Sequence, residues 1–419
     1  MRPLTYRDER RRYPWWVKAA RRPTTEFDLE KTSPAAPLGL MGNPEYLQKV
    51  NVGWEPLGRK IGSGAPGRSL RDSALHWGFS TYFTRSLHPA GGAKLSTTPV
   101  HQLLRAHVPT PEQLGIDRWE GSEREASAMV EHAAIQFGAA QVGFAALEPK
   151  WLYSNARIVA EDEELVAGAL PIGDVALPER FRWVIAGAAP VPYALSRYVP
   201  ADLGSAGDRS GWARSEMLEL MLANFLTALG YGAAPLPGSY IPHALMAGLG
   251  EMGRMNRLIS PVLGGNFRMA VVLTDLPLAL DRPIDFGLQQ FCARCKKCAE
   301  VCPPQALSHD DEPSWEPKGP WNAPGKRVYF EKASNCLEYS AKQSTFCCAC
   351  MACCPWTKPD TLLHKLGRAA AASVPRAASL MIKLDDLFGF GLVAPSEKTQ
   401  AWWDEELPVG GIDTQQSQR

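Results

Sequence analysis

Phe291 to Pro303 reads FCARCKKCAEVCP and sets Cys292, Cys295, Cys298 and Cys302 in the order C-x2-C-x2-C-x3-C-P. Three thiolates at i, i+3 and i+6 suit three corners of one iron–sulfur cubane, while the fourth, beside a proline, turns toward a second cluster. A partner run follows: Cys347, Cys350 and Cys354 give C-x2-C-x3-C-P, with Cys336 ten intervening residues ahead of them. Exchange of the last cysteine between the runs predicts Cys292, Cys295, Cys298 and Cys354 around one 4Fe–4S cluster, and Cys302, Cys336, Cys347 and Cys350 around the other. Paired zinc knuckles are the competing reading, but a knuckle supplies two ligands and has no use for a repeated x3-C-P tail. Cys348 and Cys353 are left over and are expected to be small buried apolar groups.

A chain of 419 residues, 45% of them apolar, is far longer than a ferredoxin and predicts two or three packed units. Its net charge of +1 gives no argument for a polyanionic partner, so nucleic acid is not expected. All ten cysteines fall between Cys292 and Cys354, unlike the spread framework of a secreted disulfide protein. No apolar run reaches the roughly 18 residues that a membrane helix needs. Glu9-Arg10-Arg11-Arg12-Tyr13 suggests a twin-arginine signal, yet no apolar stretch follows it. A cytoplasmic protein without a transmembrane segment is therefore expected, exported only if a leader has been removed.

Residues 1–100 are rich in Pro, Gly, Arg and Trp and read as a wrapping arm, with Trp15, Trp16, Trp54 and Trp77 as its anchors. Regular patterns begin near His101. Ser122 to Phe137 predicts a helix opened by a Ser122/Glu125 capping box, and Ala139 to Leu147 and Arg182 to Ala189 predict buried strands. Arg214 to Leu229 predicts a helix with Met217, Leu218, Met221, Leu222, Phe225 and Leu229 turned inward and Gly230 closing it. A turn-rich Pro235 to Pro242, a small-residue helix at His243 to Gly248 and a strand at Phe267 to Thr274 complete a core over residues 101–282. The cluster domain follows over 283–360. Residues 361–419 form a C-terminal extension with Ala-rich helix from Leu362 to Leu384, a break at Pro375 and a disordered tail. Alternating helices and strands make the fold α+β, layered as in α/β proteins. Gly248, Gly250 and Gly253 have dinucleotide-fingerprint spacing, but no apolar strand directly precedes them and no acid follows at the ribose distance.

An ordered set of segments carries a resemblance: Pro14-Trp15-Trp16-Val17-Lys18, AGLGEMGRMNRLISP at Ala247 to Pro261, Asn266-Phe267-Arg268 running to TDLPL at Thr274 to Leu278, both cysteine runs, WTK at Trp356 to Lys358, and LDDLFGFG at Leu384 to Gly391. Together they resemble the corrinoid-dependent reductive dehalogenases, from near residue 14 to near residue 392. The AGLG and TDLPL segments also resemble epoxyqueuosine reductase, a corrinoid and iron–sulfur enzyme acting on tRNA. The resemblance implies a nitroreductase-like core holding a base-off cobamide, joined to a C-terminal ferredoxin domain of the bacterial type with two 4Fe–4S clusters. It implies an oxidoreductase that replaces halogen by hydrogen on a small organohalide, fed by an external ferredoxin or flavodoxin, with a homodimer possible. The alternatives are a tRNA-modifying reductase and an electron-transfer protein without dehalogenase activity.

Arg268 stands at the family's active-site arginine, where a guanidinium suits a phenolate or a departing halide and lowers a neighbouring tyrosine's pKa. The family's proton-donating tyrosine falls here on Trp212, in SGWARSEM, and an indole cannot supply a proton as a phenol does. Tyr240 is the candidate replacement donor. His243 reads as a helix histidine with its partners satisfied, and Asp208 stands a few residues out of register with the acid of the tRNA enzyme. Arg254, with Gly248, Gly250 and Gly253, is the expected contact to the corrinoid.

Overall fold

The computed structural model describes residues 4–7, 13–34, 66–67, 69, 108–154, 156–159, 175–343, 345–359, 361–374, 378–389 and 398–405. Trp54, Trp77, Pro375, the arginine run at 10–12 and the terminal tail lie outside them. The fold mixes helix and sheet. Four antiparallel strands run β2 (Gln141–Ala146), β3 (Trp183–Pro190), β7 (Phe267–Thr274) and β4 (Ala233–Pro235) across one sheet, with β1 (Lys18–Ala19) set apart from it. Their register pairs Gln141 with Ala188, Pro190 with Phe267, and Ala233 with Thr274. The pairing puts the two longest strands at its centre, and both are almost wholly apolar, as strands covered on both faces must be.

One face is covered by α1 (Glu123–Gln136) and α2 (Asp202–Ala228), around Val130, Phe144, Leu218, Leu222 and Ala270. The other is covered by α3 (Tyr240–Met246), around Leu245, Val184, Val271 and Leu273. Ser122 caps α1 with the reciprocal Glu125 bonds that the sequence predicts. Gly230 follows α2 at φ +88°, the left-handed closure expected of it. Met217 departs from expectation: it is 45% exposed, on the outer side of the helix.

The main correction is the length of α2. It begins at Asp202, twelve residues before the predicted start, because Asp202 to Gly211 is buried on every side and so shows no apolar stripe. Three glycines let the chain before the helix pack against it. A Cβ on Gly204, Gly207 or Gly211 would lie 2.4 Å from Val199 N, 2.7 Å from Leu195 Cβ or 2.4 Å from Val191 Cγ2.

The arm joins the core through β1, which pairs with β8 (Ile284–Asp285); between them in sequence, β5 (Glu251–Met252) and β6 (Leu258–Ile259) form a small hairpin. Trp16 is buried against Phe286 and Trp356, whereas Trp15 is 67% exposed and anchors nothing. The cysteine runs occupy short helices: α4 (Leu288–Arg294), α5 (Lys297–Glu300), α6 (Ala333–Gln343) and α7 (Ala349–Ala352). The extension forms α8 (Leu362–Ser373) and α9 (Ala378–Leu387). No helix among the described residues is long and apolar enough to cross a membrane.

Candidate functional site

Cys292, Cys295, Cys298 and Cys354 line one hollow of about 310 Å³, walled by Arg254, Phe291 and Trp356. Four thiols facing a shared space, rather than a point, match the donor set of a multi-iron cluster. Among the described residues no three His, Cys, Asp or Glu converge as ligands of a single ion would. The second set is linked through electrostatics: Cys336 interacts with Cys347 and Cys302, and Cys350 with Cys336 and Cys347. Cys298 and Cys350 interact across the two sets. Burial raises Cys292, Cys295, Cys298 and Cys354 of the first set and Cys336, Cys347 and Cys350 of the second, Cys295 and Cys336 to about 12, so these thiols are neutral until a metal holds them as thiolates.

The WTK and LDDL segments support this hollow. Trp356 packs against Phe286 and Phe291 at 4.9 and 5.7 Å. Buried Lys297 and Lys358 both reach Asp385 at 3.2 Å, and Lys297 also pairs with Asp386, so α9 is tied to residues beside Cys298 and Cys354. Cys353 is fully buried, as expected. Cys348 is not a plain apolar filler, because its Sγ lies 3.7 Å from the Arg268 guanidinium.

Arg268 is the second residue of β7 and turns toward α2. Its guanidinium pairs with Asp208, lies 5.3 Å over the Trp212 ring, and reaches Met351 Sδ at 3.6 Å. Asp208 and Trp212 stand one turn apart on α2, and Gly211 leaves room for the Arg268 stem, which its Cβ would meet at 3.1 Å. Arg268 Nε is buried with no hydrogen-bond partner among the described residues. The Ser205 and Tyr193 hydroxyls are in the same condition, on α2 and on the short helix Tyr193–Ser196 packed against it. Buried donors without partners are rare and point to a missing acceptor.

Tyr240 is not part of that group. It packs on the α3 side of the sheet, where its hydroxyl bonds Glu219, and burial with no neighbouring arginine raises its pKa well above 10. The expected lowering by Arg268 therefore does not occur. Glu219 also accepts from Val271 N at 2.9 Å, and burial pushes its carboxyl up to about 8. Tyr240 further lines a hollow of about 630 Å³ with Trp151, Ser239 and Lys326, the last lowered to about 8 by burial. Glu219 was missed because it sits inside the apolar run MLELML; its signal is the spacing of seven from Trp212, which shares a helix face.

Arg254 and the three glycines also differ from expectation. The Arg254 guanidinium donates to the carbonyls of Cys292, Ala293, Cys295, Ser308 and Asp310 and stacks 4.1 Å from Tyr329. Four of its five N–H donors are thereby engaged, and Arg254 clamps the main chain of the first cysteine run. Gly248, Gly250 and Gly253 permit contacts inside the chain. Their Cβ atoms would meet Arg282 O at 2.4 Å, Ile259 O at 2.2 Å and Ile259 Cγ1 at 2.8 Å. Between them Glu251, raised to about 7 by burial, accepts from Phe286 N, Leu288 N and Thr24 Oγ1, holding the start of α4.

A family model described as the reductive dehalogenase subunit matches residues 65–156. The chain is 26% identical over 441 aligned positions to a tetrachloroethene reductive dehalogenase of Sulfurospirillum multivorans, covering 98% of this chain and 85% of that one. It is 32% identical to the tetrachloroethene reductive dehalogenase of Dehalobacter restrictus, covering 68% and 58%. A solved reductive dehalogenase described in terms of B12-dependent dehalogenation superposes with TM-score 0.67 at 22% identity, over 94% of this chain and 51% of that one. The chain thus spans just over half the length of several proteins it matches. Likeness to an epoxyqueuosine reductase of Cyclobacterium marinum extends over 68 residues, 16% of this chain.

Proposed function

The chain belongs to the reductive dehalogenases, and from that premise we propose that it replaces halogen by hydrogen on a small organohalide, using a cobamide and two 4Fe–4S clusters. The observation that carries this reading is Arg268: one buried guanidinium touches the core helix through Asp208 and Trp212 and the cysteine-run helix through Cys348 and Met351. Anion binding and electron supply are thereby joined at one side chain. Residues 101–282 are read as the nitroreductase-like core and 283–360 as the bacterial-type ferredoxin unit, with 1–100 as the arm and 361–419 as the extension.

The residues present fit the implied groups. Eight thiols in two sets, four buried and four half-buried, suit two cubanes, and the partnerless hydroxyls of Ser205 and Tyr193 suit the amide-rich rim of a corrinoid. When bound, a cobamide would supply a low-potential metal for reductive cleavage of the carbon–halogen bond, and the clusters would supply its electrons one at a time. Arg268 binds the developing anion through Nε. Asp208 fixes the guanidinium, and Trp212 gives it a flat apolar wall that excludes water. Tyr240 is the proton donor. The electrons come from a separate ferredoxin or flavodoxin.

The tRNA-modifying reading has support over a short segment only, and no basic face is suggested by a net charge of +1. Anaerobic reconstitution with iron, sulfide and a cobamide, followed by halide analysis over a halophenol panel, tests the proposal. Arg268→Ala is expected to lower turnover by about 100-fold or more while the cobalt spectrum persists. Full activity in that variant removes Arg268 from the mechanism. Reduction of tRNA epoxide instead of halide release favours the second reading.

A further inference from the structure

Four charged side chains stand beside the hollow that Cys292, Cys295, Cys298 and Cys354 share. Lys297 directly precedes Cys298, and Lys358 follows Cys354 closely enough for its Nζ to donate to the Cys354 carbonyl at 3.2 Å. Asp385 and Asp386 meet these lysines from α9. We propose that Lys297, Lys358, Asp385 and Asp386 set the reduction potential of the cluster at this hollow, α9 supplying the negative charge that holds the potential low. This rests on the cluster part of the dehalogenase reading and deepens it by naming the residues that govern electron flow.

The geometry supports this in three ways. The charges form one chain of contacts: Asp385 Oδ1 meets Lys358 Nζ and Asp385 Oδ2 meets Lys297 Nζ, each at 3.2 Å, and Asp386 closes on Lys297. That chain is largely out of water. The Lys297, Lys358 and Asp385 side chains are 4%, 3% and 10% exposed, and only Asp386 reaches the surface. Salt and solvent screen such charges little, so each acts on a neighbouring cluster. Lastly, Met381 and Ile382 of α9 pack on the same apolar cluster as Cys295, Cys298 and Cys354, which makes α9 part of the wall of the electron-carrying site.

Burying two lysines is costly without counter-charge, and two aspartates match them here. The match has a redox consequence. A cubane on four thiolates is an anion whose charge grows when an electron arrives, so nearby cations favour reduction and nearby anions oppose it. Left uncompensated, Lys297 and Lys358, with Arg254 in the same wall, would hold the electron. Asp385 and Asp386 offset the lysines, so the electron stays at a potential from which it moves on to a low-potential metal. One electron enters from the external ferredoxin or flavodoxin and leaves inward, and no bond is made or broken. The four side chains act through the cluster and are positioning residues.

The test is an anaerobic redox titration of the reconstituted holoenzyme followed by electron paramagnetic resonance, the relevant cluster being the one whose signal Cys292→Ala alters. Asp385→Asn keeps the shape and one acceptor oxygen but removes a charge; at a fixed potential its ratio of reduced to oxidised cluster is expected to rise about tenfold. Lys358→Met keeps an unbranched apolar stem and is expected to lower that ratio by a similar factor, while Asp385→Glu stays near wild type. Opposite signs are the mark of charge, because a merely structural role would loosen α9, admit water and move both variants the same way. Should Asp385→Asn fail to fold, Asp386→Asn at the exposed end of the chain takes its place, with a smaller rise expected. Unless the aspartate and lysine variants shift in opposite directions, the proposal is overturned. Wild-type protein that takes up iron without forming two cubanes overturns the cluster reading instead, and two cubanes without halide release overturn the dehalogenase reading while leaving the potentials to decide this one.

Discussion

His243 lies one turn from Tyr240 on α3 yet has no proton to offer. Its Nδ1 bonds Ser239 O at 2.9 Å and its Nε2 accepts from Glu148 N at 3.3 Å, so both ring nitrogens are engaged by the neutral tautomer. Burial lowers its pKa to about 4. Because the unfolded side chain titrates near 6.5, the unfolded state binds the extra proton first. The contribution of His243 to stability is present above pH 6.5 and is lost as pH falls toward 4. Nitrogen-15 shifts of His243 are expected to remain those of a neutral ring from pH 7 to pH 5, and a half-protonated ring near 6 would refute its assignment as structural. The sequence allowed this satisfied histidine to be anticipated. It did not reveal Glu219, since a single acid in an apolar helix gives no pattern, and it misdirected Arg254, whose five carbonyl acceptors come from main chain that no side-chain motif records.

At the scale of elements, strands were easier to read than the helix that carries the site. Phe267 to Thr274 was bounded correctly because eight residues with one charge between turns can only be a covered strand. The first three turns of α2 were hidden for the opposite reason: small and polar residues packed on all sides have no periodicity, though they place Asp208 and Trp212 against Arg268. Gly207 tests this packing away from the charged group. A methyl there meets Leu195 Cβ at 2.7 Å, so Gly207→Ala is expected to destabilise by about 1–3 kcal/mol through overpacking, despite alanine's better helix propensity. Denaturant unfolding measures it, and a more stable variant would mean that the crossing chain gives way freely.

For the molecule as a whole, the exchange of cysteines is the decisive connection. The spacing of the runs predicts it, and the structure brings Cys354, 62 residues after Cys292 in number, to the hollow lined by the first run. On the proposed ligand assignment neither run would close a cluster without the other, so metal–sulfur bonds would hold the insertion between them at both ends, and the Lys297–Asp385–Lys358 contacts fasten the extension over the same junction. Cys354→Ser is therefore expected to disturb the cluster whose other thiols are Cys292, Cys295 and Cys298, lowering iron from about eight to about four per chain while one cubane signal survives. Iron analysis with electron paramagnetic resonance of the reduced protein measures both quantities. If each run instead bound its own cluster, the same substitution would spare the upstream signal and spoil only the downstream one. Pairing it with Cys302→Ser separates the two arrangements, because exchange predicts that the upstream substitution damages the downstream cluster and the downstream substitution the upstream one.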